Sequence, residues 1–556
     1  KFNWKSNWKF NWKSNWKFNW KFNWKFNEDH HKHVAGYRGI KKNTMQHLTN
    51  IYILMPEIYL TVAITLLLGY GAVYSKKEGQ ISQQKKITWL SILTLIGAAL
   101  MMVEIIEVEA TILQQGLLGV DQLINIIKLI SITSSIGILL LSLDYYGKHK
   151  LLDYEYPILI MIATLGMLLL VSSKDLITFY LAIEIISLTS YILATIKRNG
   201  QYSTEAGIKY FLLGAVSSGI LLFGSSLLYA LTGETTFQGL ATFMWFAQNA
   251  SDNIGLSVGA MFILVAVLFK LAAAPFHMWA PDVYEGSPSI ITAFFAIVPK
   301  IAIFGILIQF LYGPFVGLLG ELQPLVLFSA IISVIVGSIG ALNQTKFKRL
   351  VAYSAIGHTG FILLGIATGS LDSLQASFLY IVIYIIMSLN LFAFALSTFN
   401  DFGESNFLSQ ISGISRSNPL LAITMTLCLL SIAGIPPLAG FFSKYLVLLS
   451  LVSNDFIILA TIAVIASVVG AFYYLRIIKI AYFKDSTDFH FKNLSDVFRS
   501  SVSTNQNEAY IALGPNNISF ISSIILGSTL FFILTFMFFP NPLITFTFDA
   551  LTNSLF

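Results

Sequence analysis

Residues 262–289, FILVAVLFKLAAAPFHMWAPDVYEGSPS, place a lysine and a proline inside one long apolar stretch. An ammonium at the centre of a membrane helix costs about 2.5–3.5 kcal/mol on insertion scales, so Lys270 is expected to face other helices or water. Pro275 interrupts helical hydrogen bonding and frees a backbone carbonyl, which is tolerated only where protein or a wet cavity satisfies it. A charge beside a helix break indicates an ion path.

The composition of the whole chain is that of a membrane protein with many spans. Of 556 residues, 56% are apolar and 11% are charged, and the mean hydropathy is +0.73. These values exclude a soluble domain of this size. The single cysteine, Cys428, excludes a disulfide within the chain and a Cys-ligated iron–sulfur cluster. With no Walker loop and no GxGxxG after a strand, we expect this chain to bind no redox cofactor, metal or nucleic acid.

The first 44 residues form a polar N-terminal extension. Residues 1–27 repeat the units KFNW and KSNW, which favours low-complexity sequence without a fold over an amphipathic helix on a membrane surface. Met45 precedes the first apolar run and is a candidate start site. Three histidines of the extension are interpreted as solvated rather than metal-binding: His30, His31 and His33.

About fourteen apolar runs are each long enough to cross about 30 Å of hydrocarbon. The predicted spans lie near 51–74, 88–106, 124–144, 156–172, 175–196, 206–231, 254–278, 289–311, 324–343, 349–368, 374–398, 419–449, 455–478 and 519–539. Lysines and arginines concentrate in the odd-numbered loops, and the even-numbered loops offer only Lys174. Odd loops, including a polar loop at 480–518, are therefore predicted to face the cytoplasm or matrix, and both termini the opposite, positive side.

Several ionisable residues lie inside the predicted spans. Burial favours the neutral form of a lysine, whereas a nearby carboxylate favours its charged form. At about 8 Å and an effective dielectric near 20, one charge acts on another with roughly 2 kcal/mol, so separating Glu184 from Lys270 is expected to release a proton from the lysine. Lys209 or Lys300 is the expected acceptor. The alternative, a buried ion pair that fixes helix packing, is strongest for Lys209, which lies only a few residues into its span. The central set is Glu184, Lys209, Lys270, Lys300 and Lys444.

Two histidines extend this set. His277 and His358 can relay protons, although a lone histidine in a helix bundle is often a packing residue. Charges near span ends are instead interpreted as snorkelling or helix-end residues: Glu57, Glu104, Lys128 and Asp144.

A second interrupted helix, LLSIAGIPPLAGFFSKYLVLL, carries prolines and glycines ahead of Lys444. Lys270 and Lys444 are separated by the same number of residues as Glu184 and His358. The equal offsets, each five helices long, predict two repeats of which the second runs inverted, an architecture typical of ion transporters with sites near the midplane. The predicted organisation is helices 1–3 at 51–144, a first repeat at 156–311, a second repeat at 324–478 and a last helix at 519–539.

Three blocks carry a family resemblance: FKLAAAPFHMWAPDVYEGSPSIITAFFAIVPKIAIF, GALNQTKFKRLVAYSAIGHTGFILLG and SIAGIPPLAGFFSKY. They closely resemble the antiporter-like membrane subunits of respiratory complex I, in particular the subunit 2 branch, called N in bacteria. The resemblance covers roughly residues 51–540 and is highly specific at PFHMWAPDVYEGSP; the first 44 residues match nothing in the family. It implies fourteen helices, with inverted repeats at helices four to eight and nine to thirteen and breaks in helices seven and twelve.

The resemblance also implies a function. Proton translocation in this family is coupled to electron transfer from NADH to ubiquinone in other subunits, which hold the FMN and the iron–sulfur clusters. A lysine at 444 is similar to subunits 2 and 5, whereas subunit 4 typically has glutamate there. The implied partners are subunit 4, the small subunit 4L, the lateral helix of subunit 5 and lipids. The family's proton-transfer residues correspond to Glu184, Lys209, Lys270, Lys300 and Lys444.

Two alternatives stay open on the sequence alone. A subunit of a multi-subunit cation/proton antiporter has the same fold and similar broken helices. A purely structural spacer is disfavoured, because it gains nothing from retaining five costly charged groups. Abundant Phe, Ile, Asn and Lys are typical of an AT-rich genome, which favours the mitochondrial inner membrane over a bacterial plasma membrane.

Overall fold

The apolar runs of the sequence form long helices with short connections. The computed structural model describes residues 50–74, 80–106, 110–113, 116–149, 154–247, 254–399, 407–484 and 519–555. The predictions for the extension 1–44, its histidines, Met45 and the loop residues 485–518 lie outside the described residues. The chain from Ile53 onward forms one unit.

Nineteen helices and one hairpin are described within these ranges. The helices are α1 (Met55–Tyr74), α2 (Gln80–Glu104), α3 (Gln122–His149), α4 (Glu155–Ser172), α5 (Leu176–Ala194), α6 (Gln201–Thr232), α7 (Phe237–Ala247), α8 (Ile254–Lys270), α9 (Trp279–Gly286), α10 (Ser289–Tyr312), α11 (Leu319–Leu342), α12 (Phe347–Thr368), α13 (Leu371–Thr398), α14 (Ile414–Ser417), α15 (Pro419–Ala433), α16 (Ala439–Ser453), α17 (Ile457–Phe483), α18 (Phe520–Thr535) and α19 (Asn541–Leu555). The hairpin pairs β1 (Thr111–Leu113) with β2 (Leu118–Val120) in antiparallel register. Short 3₁₀ turns occupy Val316–Leu318 and Leu408–Ile411.

All fourteen predicted spans fall on these helices. In the described part of the chain, 11 helices are long and apolar enough to cross a membrane, and four shorter apolar helices are α8, α15, α16 and α18. Because α15 and α16 are the two halves of one interrupted span, these helices correspond to fourteen crossings. The predicted fold class is confirmed: an all-α polytopic membrane protein with two inverted five-helix repeats and broken seventh and twelfth helices.

Helix α10 lies at the centre of the bundle. Its sequence is apolar on every side, a pattern typical of a fully buried helix. In its apolar 18-residue segment, 94% is buried inside the protein. It packs against α3, α4 and α13. At Gly305 the approach of α3 is so close that an added Cβ would lie 2.6 Å from Ile127 Cδ1. Lys300, carried by α10, is therefore held away from lipid by surrounding helices.

The first helix break begins earlier than the proline. The predicted span 254–278 stops being helical after Lys270, and Ala272 has a φ of 57°. A proline ring collides with the carbonyl four residues before it, so Pro275 prevents a helix from running through Leu271. The freed groups are satisfied by α11: the Ala274 N–H donates to Ser333 Oγ (2.7 Å), and Ser329 Oγ donates to the Ala274 carbonyl (2.8 Å). Both backbone polar groups of Ala274, within the break, are thus satisfied by protein.

The second break lies between α15 and α16. Gly434 ends α15 with a φ of 89°, in the left-handed region that glycine adopts without steric cost. The Gly440 N–H donates to Ser431 Oγ at 3.0 Å, across the break. A Cβ at Gly440 would lie 1.9 Å from the Ser431 carbonyl oxygen, so only glycine fits this approach.

The two lysines beside the breaks do not occupy equivalent positions. Lys270 is the last residue of α8, before the first break, whereas Lys444 lies in α16, after the second. Equal spacing in sequence therefore does not align the two breaks residue by residue. The two repeats have the same helix arrangement, but the lysine precedes the break in the first repeat and follows it in the second.

An ion pair lies buried in the three helices before the first repeat. Lys128 Nζ of α3 lies 2.5 Å from Glu57 Oε1 of α1, and their side chains are 1% and 6% exposed. Glu57 lies in the first turn of α1, as expected of a helix-end residue. The interpretation of the two residues as snorkelling charges is wrong, because neither charged group reaches the surface. Their partnership has no local signal, since the two residues are 71 positions apart.

Removing only one member of this pair is expected to destabilise the protein. In Lys128→Met, the Glu57 carboxylate stays buried without its partner, which costs about 3–5 kcal/mol. The double variant Glu57→Gln/Lys128→Met removes both charges and should recover most of the stability. Thermal unfolding and native gels of the purified complex measure both; equal losses in the single and double variants would contradict the expectation.

Several short elements were not predicted from sequence. The hairpin, α7, α14 and α19 are shorter or more polar than the apolar runs used to recognise spans. The hairpin also explains Lys174, the basic residue of the even-numbered loops. Lys174 Nζ lies 3.3 Å from Asp121 Oδ2, and its backbone N–H donates to the Leu117 carbonyl at 3.0 Å. Its charge is thus paired within the loop region.

Candidate functional site

Lys270 contacts α5 through a serine. Its ammonium donates to Ser187 Oγ at 2.7 Å and lies 5.8 Å from the centre of the Tyr191 ring. Ser187 follows Glu184 by three residues, so both side chains lie on the same face of α5. Within the described ranges no ion pair within 4.0 Å joins Glu184 to Lys270, and Glu184 Oε1 is buried without a hydrogen-bond partner. A hydroxyl, rather than the carboxylate, is the direct partner of the ammonium.

A small cavity adjoins Lys270. Its volume is about 20 Å³, enough for one water molecule. The helices α4, α5, α6, α8, α9 and α10 contribute to its wall, which includes Ser187, Tyr210, Lys270 and Pro299. Pro299 immediately precedes Lys300, so the cavity extends from the first broken helix toward the central helix. A single water here would lie beside Lys270 and against α10, the helix that carries Lys300.

Lys300 is bonded on its other side to the second repeat. Its ammonium donates to the Ala355 carbonyl at 3.3 Å and to Tyr384 Oη at 3.5 Å, and the residue is 3% exposed. Tyr384 Oη donates in turn to the Ala296 carbonyl of α10 at 3.3 Å. Lys300 therefore joins the two repeats through neutral polar partners.

His358 lies between the hydroxyl groups of two tyrosines and beside the ring of a third. Its Nδ1 is 2.8 Å from Tyr380 Oη, and its Nε2 is 3.3 Å from Tyr474 Oη. The centres of the His358 and Tyr384 rings are 5.3 Å apart, which brings the imidazole beside the partner of Lys300. Both ring nitrogens are thus hydrogen-bonded, the arrangement needed for an imidazole to accept a proton on one side and donate one on the other.

Lys444 completes this line beside the second break. Its ammonium donates to the Ala433 carbonyl at 2.8 Å, an acceptor left free where α15 ends. It also lies 5.6 Å from the centre of the Phe361 ring, which stacks on Tyr380. The lysine therefore adjoins the aromatic group that surrounds His358.

The two remaining predicted residues have different surroundings. His277 lies in the first break, where it is buried and its Nδ1 has no hydrogen-bond partner. The Lys209 side chain is 44% exposed and forms ion pairs with Glu205 (2.8 Å) and Asp282 (2.9 Å). The structure thus places Glu184 near Lys270, on the helix face that carries Ser187, directs Lys300 toward the second repeat, and places Lys209 in a separate ionic cluster.

Sequence reasoning missed the hydroxyl groups that connect the charged residues. Serine and tyrosine are common in membrane helices and carry no charge that makes them costly, so they do not stand out inside an apolar run. A search for hydroxyls one helical turn from an intramembrane charge would have found Ser187, but not the others. The connecting residues are Ser187, Tyr380, Tyr384 and Tyr474.

Tyr474→Phe tests the hydroxyl network around His358. The variant removes the hydroxyl that contacts both His358 Nε2 and Ser354 Oγ (2.5 Å) while keeping the ring. A neutral hydrogen bond contributes about 0.5–1.5 kcal/mol, so transport through His358 should slow by about twofold to tenfold. Proton pumping in vesicles measures the effect. Tyr229→Phe, which alters an exposed tyrosine of α6, is the control; equal rates in both variants would exclude the hydroxyl from the path.

Comparisons with known proteins show the family of this chain. The family described as NADH:quinone oxidoreductase/Mrp antiporter, transmembrane, matches residues 173–470, a range that contains all seven site residues predicted from the sequence. The chain belongs to this family. The resemblance seen in its sequence motifs is therefore confirmed.

Relatives and solved structures of the family cover most of the chain. It is 40% identical over 444 residues to NADH-quinone oxidoreductase subunit N of Pelagibacter ubique, covering 79% of this chain and 92% of that protein. It is 37% identical to NADH-ubiquinone oxidoreductase chain 2 of Marchantia polymorpha, covering 88% and 96%. In fold it is similar to a chain of respiratory complex I from Thermus thermophilus, with a TM-score of 0.70 and 24% identity, covering 88% of this chain and 98% of that chain. It is also similar to a chain of the Mrp complex from Dietzia sp., with a TM-score of 0.74 and 19% identity, covering 90% of this chain and 97% of that chain.

Proposed function

We propose that this chain is a proton-translocating membrane subunit of a NADH:quinone oxidoreductase. The observation that carries the proposal is a set of buried protonatable groups beside both broken helices and on the central helix α10: Lys270, Lys300, His358 and Lys444. We propose that they form one proton line. Relatives named as subunits of NADH-quinone and NADH-ubiquinone oxidoreductases support the enzyme assignment. The chain works as the proton-conducting part of that enzyme.

We propose a role for each group of the line. Glu184 modulates the charge on Lys270 from one turn along α5, and Ser187 holds the ammonium. Lys270 releases its proton to water in the adjoining cavity, and Lys300 receives it. Tyr384 and His358 carry the proton onward through the second repeat. Lys444, beside the second break, exchanges it with the positive side or a neighbouring subunit, and His277 extends the line into the first break.

The proposed division of chemistry leaves electron transfer to other subunits. NADH, FMN, the iron–sulfur clusters and ubiquinone belong to those subunits. Cys428, the single cysteine of the sequence, is buried and cannot by itself form a Cys-ligated cluster. What this chain contributes is a set of charges whose mutual interactions change when a neighbour changes its charge.

The proposed partners are the other membrane subunits of the complex. They comprise the antiporter-like subunit 4, the small subunit 4L, the lateral helix of subunit 5, and lipids. Large apolar side chains exposed on α6 and α17 provide surface for such neighbours or lipid, among them Phe211, Val216, Ile465 and Phe472. The proposed location is the mitochondrial inner membrane, with a bacterial plasma membrane as the alternative for a multi-pass protein of this family.

A cation/proton antiporter subunit is the second candidate. It is favoured by one observation, the fold similarity to a chain of the Dietzia Mrp complex. The two functions are separated by purifying the tagged chain from its native membranes. Co-purification with NADH-oxidising, iron–sulfur-containing subunits supports the oxidoreductase, and NADH addition to reconstituted vesicles should acidify them. Cation-driven proton exchange in vesicles without NADH oxidation would overturn the assignment.

A further inference from the structure

Six charged residues form a connected cluster outside the proposed proton line. Lys209 Nζ contacts both Glu205 Oε1 (2.8 Å) and Asp282 Oδ2 (2.9 Å). Arg349 Nη1 contacts Asp282 Oδ1 (3.4 Å) and Glu285 Oε2 (3.0 Å), and Glu285 also pairs with Lys346. Three carboxylates and three cations balance one another. We call this set the ionic clasp: Glu205, Lys209, Asp282, Glu285, Lys346 and Arg349.

The clasp joins three helices from both repeats. Glu205 and Lys209 lie on α6, while Asp282 and Glu285 lie three residues apart on one face of α9. Lys346 and Arg349 lie at the start of α12, in the second repeat. The carboxylates of α9 are therefore held between one cation from the first repeat and two from the second.

Helix α9 needs such partners to keep its position. It has 8 residues, too few for a helix that is stable alone. Its start is fixed by Trp279, whose ring stacks on Tyr210 at 4.5 Å and whose Nε1 donates to the Phe269 carbonyl at 2.8 Å. Its end packs on α6 so closely that a Cβ at Gly286 would lie 2.4 Å from the Tyr202 carbonyl oxygen. The clasp holds the two turns between these points.

We propose that the ionic clasp positions α9, and through it the first break, and that Lys209 is a positioning residue rather than a proton carrier. This inference rests on the proposed function. The chain runs from the clasp through α9 directly into the break that holds His277 and ends beside Lys270, so a displaced α9 alters the surroundings of both. Lys209 bridges two carboxylates and has no contact with Lys270 or Lys300 in the described structure. Its ammonium connects α6 to α9 through the ion pair with Asp282.

Arginine substitutions separate positioning from proton transfer. An arginine keeps a positive charge and several donors but does not release its proton at the pH of the cell. Lys209→Arg should therefore keep most of the proton-pumping rate, while Lys209→Met, which loses both ion pairs, should pump about threefold to tenfold more slowly. Lys270→Arg, at a proposed carrier, should block pumping. All three variants are measured in the assembled complex in vesicles, after native gels establish equal assembly.

The outcomes distinguish the clasp from the proton line. If Lys209→Arg loses as much pumping as Lys209→Met, Lys209 carries protons and the inference fails. If Lys209→Met pumps at the normal rate, the clasp has no positioning role. Pumping that persists in Lys270→Arg would instead overturn the proposed function. Arg349→Met, which also frees Asp282, provides a second test: the double variant with Lys209→Met should lose less than the product of the two single losses.

Discussion

Lys270→Met should abolish proton translocation by this subunit and lower NADH:quinone turnover by at least about tenfold, since a positioned proton-transfer group contributes about 10²–10⁴-fold to the step it serves. Methionine fills a volume similar to the lysine stem and removes the group that carries the proton. Ser187 loses its ammonium partner, but its hydroxyl still donates to the Ile183 carbonyl at 2.7 Å, so the helix contact survives. The defect should therefore lie in transport and not in assembly.

The measurement uses the purified complex in sealed vesicles, with NADH oxidation and internal acidification recorded together. Lys479→Met is the matched control, because it removes an exposed lysine near the end of the spanning helix α17. It should pump at the normal rate. Full acidification by an assembled Lys270→Met complex would show that Lys270 does not carry protons and would refute the proposed proton line.

Gly440→Ala should prevent the second broken helix from adopting its structure. The new Cβ would lie 1.9 Å from the Ser431 carbonyl oxygen and 3.1 Å from Met387 Sδ. Because a backbone oxygen cannot move aside as a flexible side chain does, α15 and α16 must separate. The cost should be at least about 3 kcal/mol, the upper end of ordinary overpacking. Separation also removes Lys444 from the Ala433 carbonyl, so pumping should fall even in the fraction that assembles.

Gly219→Ala is the control for this substitution. Gly219 also lies in a membrane-spanning helix, but an added Cβ meets nothing within 4 Å. The change should be neutral or slightly stabilising, since alanine favours helix more than glycine does. Thermal unfolding of the complex and the yield of assembled complex compare the two. Equal stability of the Gly440→Ala and Gly219→Ala variants would show that the second break does not depend on a close approach at Gly440.

The architecture was predictable because the signals that specify it are local. Each span is a continuous apolar run, and each break contains proline or glycine within a few residues of an out-of-place lysine. Lys270, Lys300 and Lys444 were recognisable because a charge inside an apolar run is costly. The same logic failed for Glu57 and Lys128, because their burial depends on a partner in another helix.

The connections within the site depend on geometry that a single sequence does not specify. Ser187 contacts Lys270 because α5 and α8 pack in one particular register. Tyr474 reaches His358 from a helix more than a hundred residues away. The ion pair between Lys209 and Asp282 likewise depends on where α9 packs. The sequence analysis assigned no role to the carboxylates of α9. Packing between distant helices, rather than any local pattern, selects these partners.

The serines that satisfy the first break also affect how water can serve the site. Ser329 and Ser333 of α11 occupy the N–H and carbonyl of Ala274, groups that water would otherwise have to solvate. With both groups filled by hydroxyls of the protein, this part of the break needs no water for its hydrogen bonding. The number of water molecules beside Lys270 can therefore change during turnover while Ala274 stays satisfied.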